Sequence, residues 1–238
     1  MPRLTLVMVL AALAAGCPQS APKPKAKAPT GPTLIPNVPP NYTGVQTRYY
    51  DDEEDGQRQV ELEFLNGREH GHWISWHRNG KKEAEGQFKD GKKDGKWVAW
   101  HENGQQRMLG HFRQGLMHGA WTSWFENGQK EMEGEFRDGK DNGRWIRWHK
   151  NGKKASEGEF ENGKKVGKWT YWHENGQKES EGDYLDDKEH GRWTYWHKNG
   201  QKEMEGEYKN GKKVGPWAEW DADGKPLTPA AASQPVGP

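Results

Sequence analysis

Lys96-Trp97-Val98-Ala99-Trp100-His101-Glu102-Asn103-Gly104-Gln105-Gln106-Arg107-Met108-Leu109-Gly110-His111-Phe112 has the outline of a β-hairpin. Two runs rich in aromatic and apolar residues flank Asn103-Gly104, and Asn-Gly in that setting is the strongest short hairpin signal. The spacing predicts a first strand from Lys96 to His101, a two-residue type I′ turn at Asn103-Gly104, and a second strand from Gln105 to Phe112. That register sets Trp97 opposite Gly110, where the missing side chain leaves room for the indole to lie over the backbone. Alternation along the strands sorts the residues onto two faces. Trp97, Ala99, His101, Met108, Gly110 and Phe112 share the face expected to pack, and Val98, Trp100, Leu109 and His111 share the other. A three-residue loop with a bulge would exchange the roles of the faces.

The same pattern returns every 24 residues on either side. A first series of tryptophans runs Trp73, Trp97, Trp121, Trp145, Trp169, Trp193 and Trp217; a second, three residues later, runs Trp76, Trp100, Trp124, Trp148, Trp172, Trp196 and Trp220. All 14 tryptophans belong to one series or the other. Glycines keep the beat from Gly86 to Gly206, and an aromatic follows each by two residues, from Phe88 to Tyr208. Asn-Gly or Asp-Gly marks each turn from Asn79-Gly80 to Asp223-Gly224. Seven units result, preceded by a degenerate eighth with Tyr49 and Asp52 at the tryptophan positions and Asp55-Gly56 at the turn. The register pairs Arg144 with Glu159, Lys168 with Asp183 and Arg192 with Glu207, so opposite charges meet in three units.

Composition explains why such a chain leans on aromatics. Of its 238 residues 30% are charged, the mean hydropathy is −1.26, and only 12 Leu, Ile or Val lie between Asn41 and Lys225. An aliphatic core cannot be assembled from these, and the composition borders on that of disordered chains. All 27 aromatics fall in the same span and can supply the burial instead. Residues 1–40 hold four bases and no acid, which leaves 32 bases against 35 acids beyond them. A net charge of −3 is the wrong sign for tracking phosphates, so nucleic acid is not an expected partner.

The N-terminus has a different logic. Met1-Pro2-Arg3 is a short basic start, Leu4 to Leu13 an apolar run, and Ala14-Ala15-Gly16 a small-residue cleavage site, which together read as a secretory signal. Cys17, the single cysteine, allows no internal disulfide. Leu13-Ala14-Ala15-Gly16-Cys17 resembles the bacterial lipobox, which implies that Cys17 is lipidated and becomes the mature N-terminus; Ala14 departs from the commoner leucine. Pro18 after the cysteine implies, by the same resemblance, the outer rather than the inner membrane. The Pro/Ala/Lys-rich linker that follows is expected to hold the folded part away from the lipid surface. The chain thus divides into a signal peptide (1–16), a lipidated cysteine with linker (17–40), a repeat domain (41–225) and a disordered tail (226–238).

Glu133-Gly134-Glu135-Phe136-Arg137-Asp138-Gly139-Lys140-Asp141-Asn142-Gly143 resembles the MORN repeat, and Trp145 to Gly152 resembles the continuation of its bacterial variant form. The resemblance covers all seven units. Leu62 in place of a glycine, Asp187 in place of a loop glycine, and Phe125 and Asp221 in place of histidine depart from the pattern in single units. The implied fold is all-β, an elongated single-layer antiparallel sheet of repeated β-hairpins in a MORN-like β-solenoid. The acidic block from Asp51 to Asp55 and the prolines Pro226 and Pro229 are expected to protect the sheet's edges.

No catalytic constellation emerges. His77, His101, His149, His173 and His197 recur at one repeat position, about 9.6 Å apart at two strands per unit. Two imidazoles sharing a metal need bonds of about 2.1 Å to a common centre, so these are read as turn-side histidines covering aromatic surface; no metal or cofactor is expected. His70, His118 and His190 lie in connecting loops, again a repeat or more apart. Glu131, Glu133 and Glu135 share a face at steps of about 6.8 Å, within the range of glycosidase acid pairs. The triplet recurs as Glu203, Glu205 and Glu207, whereas an active site needs one distinct environment, so a solvated face and no enzyme are expected. The first tryptophan series is read as structural. The second is the candidate binding ladder, suited to extended protein segments, basic tails or sugar rings. The leading expectation is a non-enzymatic, lipid-anchored scaffold of the bacterial cell envelope that binds another protein. Cell-wall glycan binding by the ladder is one alternative. An antitoxin or immunity-type role against an envelope effector, implied by resemblance to antitoxin-labelled MORN-variant proteins, is another.

Overall fold

The computed structural model describes residues 38–50 and 56–227, and every regular element among them is a strand. Residues 1–37, which hold the expected signal peptide, Cys17 and most of the expected linker, the acidic block 51–55 and the tail from 228 lie outside the described residues. β1 (Gly44–Tyr49) and β2 (Arg58–Leu65) form the degenerate first unit, followed by β3 (Arg68–Trp76), β4 (Lys82–Lys89), β5 (Lys92–Trp100) and β6 (Gln106–Arg113). The short β7 (Leu116–Met117) precedes β8 (Gly119–Trp124), β9 (Lys130–Arg137), β10 (Lys140–Trp148) and β11 (Lys154–Glu161). β12 (Lys164–Trp172), β13 (Lys178–Leu185), β14 (Lys188–Trp196), β15 (Lys202–Lys209) and β16 (Lys212–Glu219) complete one open antiparallel sheet of 16 strands in chain order, with β7 paired to β6 beside β8. This is the all-β sheet of successive hairpins expected from the repeat.

The expected register holds, but the turn that produces it is different. Trp97 pairs with Gly110 and Ala99 with Met108. The Gly104 amide donates to the His101 carbonyl at 2.8 Å, and Gly104 has a φ of 91° while Asn103 does not enter the left-handed region. The loop is therefore a type I turn closed by a left-handed glycine, not a type I′ pair. Its extra residue would swap the faces of the hairpin. A second irregularity between Ala99 and Trp100, where Trp100 pairs with Gln106 and Arg107 is left over, restores them. Two one-residue slips cancel. Type I′ geometry occurs at the other end of each strand pair, as at Asp90 (φ 51°) and Gly91 (φ 78°) between the paired Lys89 and Lys92.

A wider bulge builds the core. Gln87 pairs with Asp94 and Glu85 with Val98, so three residues of β5 oppose the single Gly86 of β4. Gly95, at a φ of 69°, takes the bend. The bulge lays the Trp97 indole onto Gly86, where a Cβ would come within 2.2 Å of Trp97 Cδ2. The indole over Gly110 is that of Trp121, not its register partner Trp97. Each indole thus leans back onto the preceding hairpin and joins two repeats. The indole N–H of Trp145, Trp169 and Trp193 donates to a carbonyl of the strand beneath, at Glu135, Glu159 and Asp183, over 3.1–3.2 Å.

Along the packing face the indoles alternate edge-to-face with the other aromatics. The column runs Trp121, Phe136, Trp145, Phe160 and Trp169 at centroid separations of 5.0–6.2 Å and continues through Tyr184, Trp193 and Tyr208 to Trp217. Pairs in this geometry add about 0.5–1.5 kcal/mol beyond burial. Trp73, Trp97, Trp121, Trp145, Trp169 and Trp193 are buried, while Trp217 at the end of the array is half-buried. At that edge Pro226 does not end the pairing: Trp220 bridges to Pro226, and the Leu227 amide donates to the Glu219 carbonyl at 2.8 Å.

Candidate functional site

All seven second-series tryptophans, Trp76, Trp100, Trp124, Trp148, Trp172, Trp196 and Trp220, lie half-buried on the face away from the column. They are not bare. Lys82, Lys130, Lys154, Lys178 and Lys202 hold their ammonium groups 5.4–6.0 Å from the ring centres of Trp100, Trp148, Trp172, Trp196 and Trp220, and Arg58 stands likewise at Trp76. Each lysine also pairs with the glutamate three residues on, as in Lys178–Glu181 at 2.8 Å. Indole, ammonium and carboxylate therefore repeat as a motif across the outer face.

Cross-strand cations join three of these clusters. Arg144, Lys168 and Arg192 have the expected register partners Glu159, Asp183 and Glu207. Their ion pairs run diagonally instead, to Glu157, Glu181 and Glu205. The strand twist brings the long cation toward the carboxylate already held by the lysine. Hydrogen bonds from Lys154 and Arg144 hold Glu157 below the usual carboxylate range, and Lys202 and Arg192 do the same for Glu205. For Glu181 partial burial pushes upward, but the bonds from Lys168 and Lys178 outweigh it. Carboxylates held in the ionised form are acceptors, whereas a general acid needs a raised pKa.

The turn-side histidines act between repeats. Nε2 of His77, His101, His149, His173 and His197 lies 2.7–3.0 Å from the carbonyl of Trp100, Trp124, Trp172, Trp196 and Trp220, one repeat further on. Asn79, Asn103, Asn127 and Asn151 donate to carbonyls in the next turn in the same way. Among the described residues no three His, Cys, Asp or Glu side chains gather as a metal site.

One feature of the packing face has no counterpart in the sequence reading. Lys93, Lys165 and Lys213 place their ammonium groups 4.2–4.5 Å from the ring centres of Trp97, Trp169 and Trp217. Burial pulls the Lys93 pKa down to about 8. The signal was a lysine four residues before a first-series tryptophan, hidden among the 36 basic residues.

A glycine under each first-series indole from Trp97 to Trp217, a left-handed glycine in each bulge and a 24-residue beat define the unit. The MORN repeat variant family matches residues 69–90, 117–138, 141–162, 165–186 and 189–210. Five of the chain's units are similar to the MORN repeat variant. The matched stretches follow the unit frame and pass over residues 91–116, which hold β5 and β6. No curated protein matches the chain at a significant level.

Proposed function

We propose that this chain of MORN-like repeats is a non-enzymatic, lipid-anchored scaffold of the bacterial cell envelope that holds another protein on its outer sheet face. The observation that carries this reading is the row of seven half-buried tryptophans, one per repeat, on the face that the aromatic column does not use. Regular aromatic stripes framed by charge suit an extended partner, with the rings as anchors and the ion pairs as rim. MORN repeats generally serve as non-catalytic scaffolds, in keeping with the ion-paired outer glutamates. The anchor belongs to Cys17, and its test is incorporation of an alkyne-tagged fatty acid by the wild type and none by Cys17→Ser. The partner reading is tested by cross-linking in the envelope and comparing captured proteins between the wild type and a folded variant with Trp100, Trp124, Trp148 and Trp172 changed to Ala. Loss of a specific captured band is expected; identical eluates would refute the reading. Stacking of tryptophans on cell-wall sugars is the second reading, since the half-buried indoles leave ring surface open. Titration of Trp fluorescence with peptidoglycan fragments separates it, with a saturable change expected only if sugars bind.

A further inference from the structure

Strand β6 breaks the outer-face motif at one place. In β11, β13 and β15 a single glutamate, Glu157, Glu181 or Glu205, holds both a lysine of its own strand and a cation from across the hairpin. The corresponding residues around β6 are Leu109 for the glutamate, Gln106 for the strand lysine and Lys96 for the cross-strand cation. The cation persists while its carboxylate is gone. Lys96 is exposed and makes no ion pair among the described residues, and β6 contains neither Asp nor Glu. Its register partner, His111, is exposed and stands where the other units have Glu159, Asp183 and Glu207.

The loss of charge opens an apolar window. Val98, Leu109 and Thr122 stand side by side across β5, β6 and β8, whereas elsewhere this row places a glutamate between such residues, as in Ile146, Glu157 and Thr170. Half-buried Trp100 and Trp124 flank it, and with Gln106 in place of lysine Trp124 has no cation over its ring among the described residues. Lys96, Val98, Trp100 and Leu109 fall in the stretch that the family matches pass over, whereas Thr122 and Trp124 lie within the match at 117–138.

We propose that this window docks a segment of the partner protein that carries a carboxylate beside an apolar side chain. The carboxylate completes on Lys96 the ion pair that glutamate makes within the chain in β11, β13 and β15, and the apolar side chain rests on Leu109 between the two indoles. A basic segment meets an unpaired cation and is disfavoured by like charge. The inference rests on the scaffold reading above and names its focus and the chemistry of its ligand.

The test is fluorescence anisotropy of the full chain with three labelled probes: a peptide alternating Glu with Leu and Phe, the same peptide with Lys for Glu, and a glucuronate oligosaccharide. The acidic peptide is expected to bind at least tenfold tighter than the other two. Leu109→Glu restores the residue of the neighbouring units, so it should fold normally while giving Lys96 an internal partner; affinity for the acidic peptide should drop at least tenfold. Lys96→Ala should weaken it several-fold, and Lys198→Ala, in an exposed turn remote from the window, should leave it unchanged. Equal binding of the Lys peptide, equal binding of the oligosaccharide, or full affinity in Leu109→Glu overturns the proposal. Where Leu109→Glu keeps the captured partner and the fourfold Trp variant loses it, only this inference fails. Where the fourfold variant also keeps it, the scaffold reading fails.

Discussion

On their packing faces the hairpins β5–β6 and β12–β13 build the aromatic column in the same way, although Ala99 and Met108 of the first are Tyr171 and Ser180 in the second. Trp97 and Trp169 are both buried, their column partners Phe112 and Tyr184 lie 5.8 and 6.1 Å away, and each has a lysine over its ring. On their outer faces they differ: β12–β13 carries Glu181 held by Lys168 and Lys178, and β5–β6 carries Leu109 beside an unpaired Lys96. The packing face is fixed by steric contact, because an indole lies on a bare backbone there. The outer face is fixed by exposed ion pairs worth about 0–1 kcal/mol each. A change on the first face damages the array, while a change on the second is cheap enough to be available for recognition.

The strongest way to break the comparison is to attack what the hairpins share. Gly158→Ala puts a Cβ within 2.2 Å of Trp169 Cδ2, and Gly110→Ala puts one within 2.1 Å of Trp121 Cε3. Overpacking of this kind costs about 3 kcal/mol, and the two losses should agree within about 1 kcal/mol. Urea unfolding followed by Trp fluorescence measures both; a tolerated alanine at either site means that the indole does not depend on the bare backbone.

How much of this was legible follows from the ranges involved. The 24-residue beat, the strands and the Trp97–Gly110 register could be read because side-chain alternation and the Asn-Gly turns are local signals. The turn type could not. Asn103-Gly104 suits both a type I′ pair and a type I turn ending in a left-handed glycine, and only the compensating slip at Arg107 makes the second compatible with the same faces. The indole's true seat was also hidden: Trp121 reaches Gly110 because Gly119 bends the next strand, a contact between units rather than within one. Diagonal ion pairs such as Lys168–Glu181 depend on strand twist, which residue spacing does not carry.

The hydrogen-bond ladder along the turns gives a sharper, smaller contrast. His149 reaches the Trp172 carbonyl at 2.7 Å, whereas Phe125 occupies the same position one repeat earlier. His149→Phe should cost about 1 kcal/mol and raise amide exchange locally in β12 and the turn at 173–176, because each repeat touches only its neighbours. Exchange rates unchanged there would reduce the histidines to surface cover.

The outer-face difference itself should barely register in stability. Glu157→Leu recreates the β6 surface in β11 and leaves Arg144 and Lys154 without their carboxylate, at a cost of about 0.5 kcal/mol. Leu109→Glu, the reverse change, should stay within about 0.5 kcal/mol of the wild type. Thermal midpoints of the pair measure this. A loss of several kcal/mol on Leu109→Glu would show that Leu109 packs structurally and would remove the freedom on which docking at the window depends.

The smallest expected effect is in pH. Glu157, Glu181 and Glu205 have folded-state pKa values below the ordinary 4.5. A depressed carboxylate stabilises fully above its unfolded pKa, and that contribution disappears as pH falls from the ordinary value through the folded one. Strand β6, with Leu109 at this position, has no such carboxylate to lose. Amide protection corrected for intrinsic exchange should therefore fall more in β11, β13 and β15 than in β6 when pH drops from 7 to about 3. Glu157→Gln should remove the pH-dependent part in β11 and leave that in β15 intact. If β6 loses protection as steeply as β15, acid is acting on groups common to all the repeats rather than on the outer ion clusters. The contrast between the two hairpins would then rest on the apolar window alone.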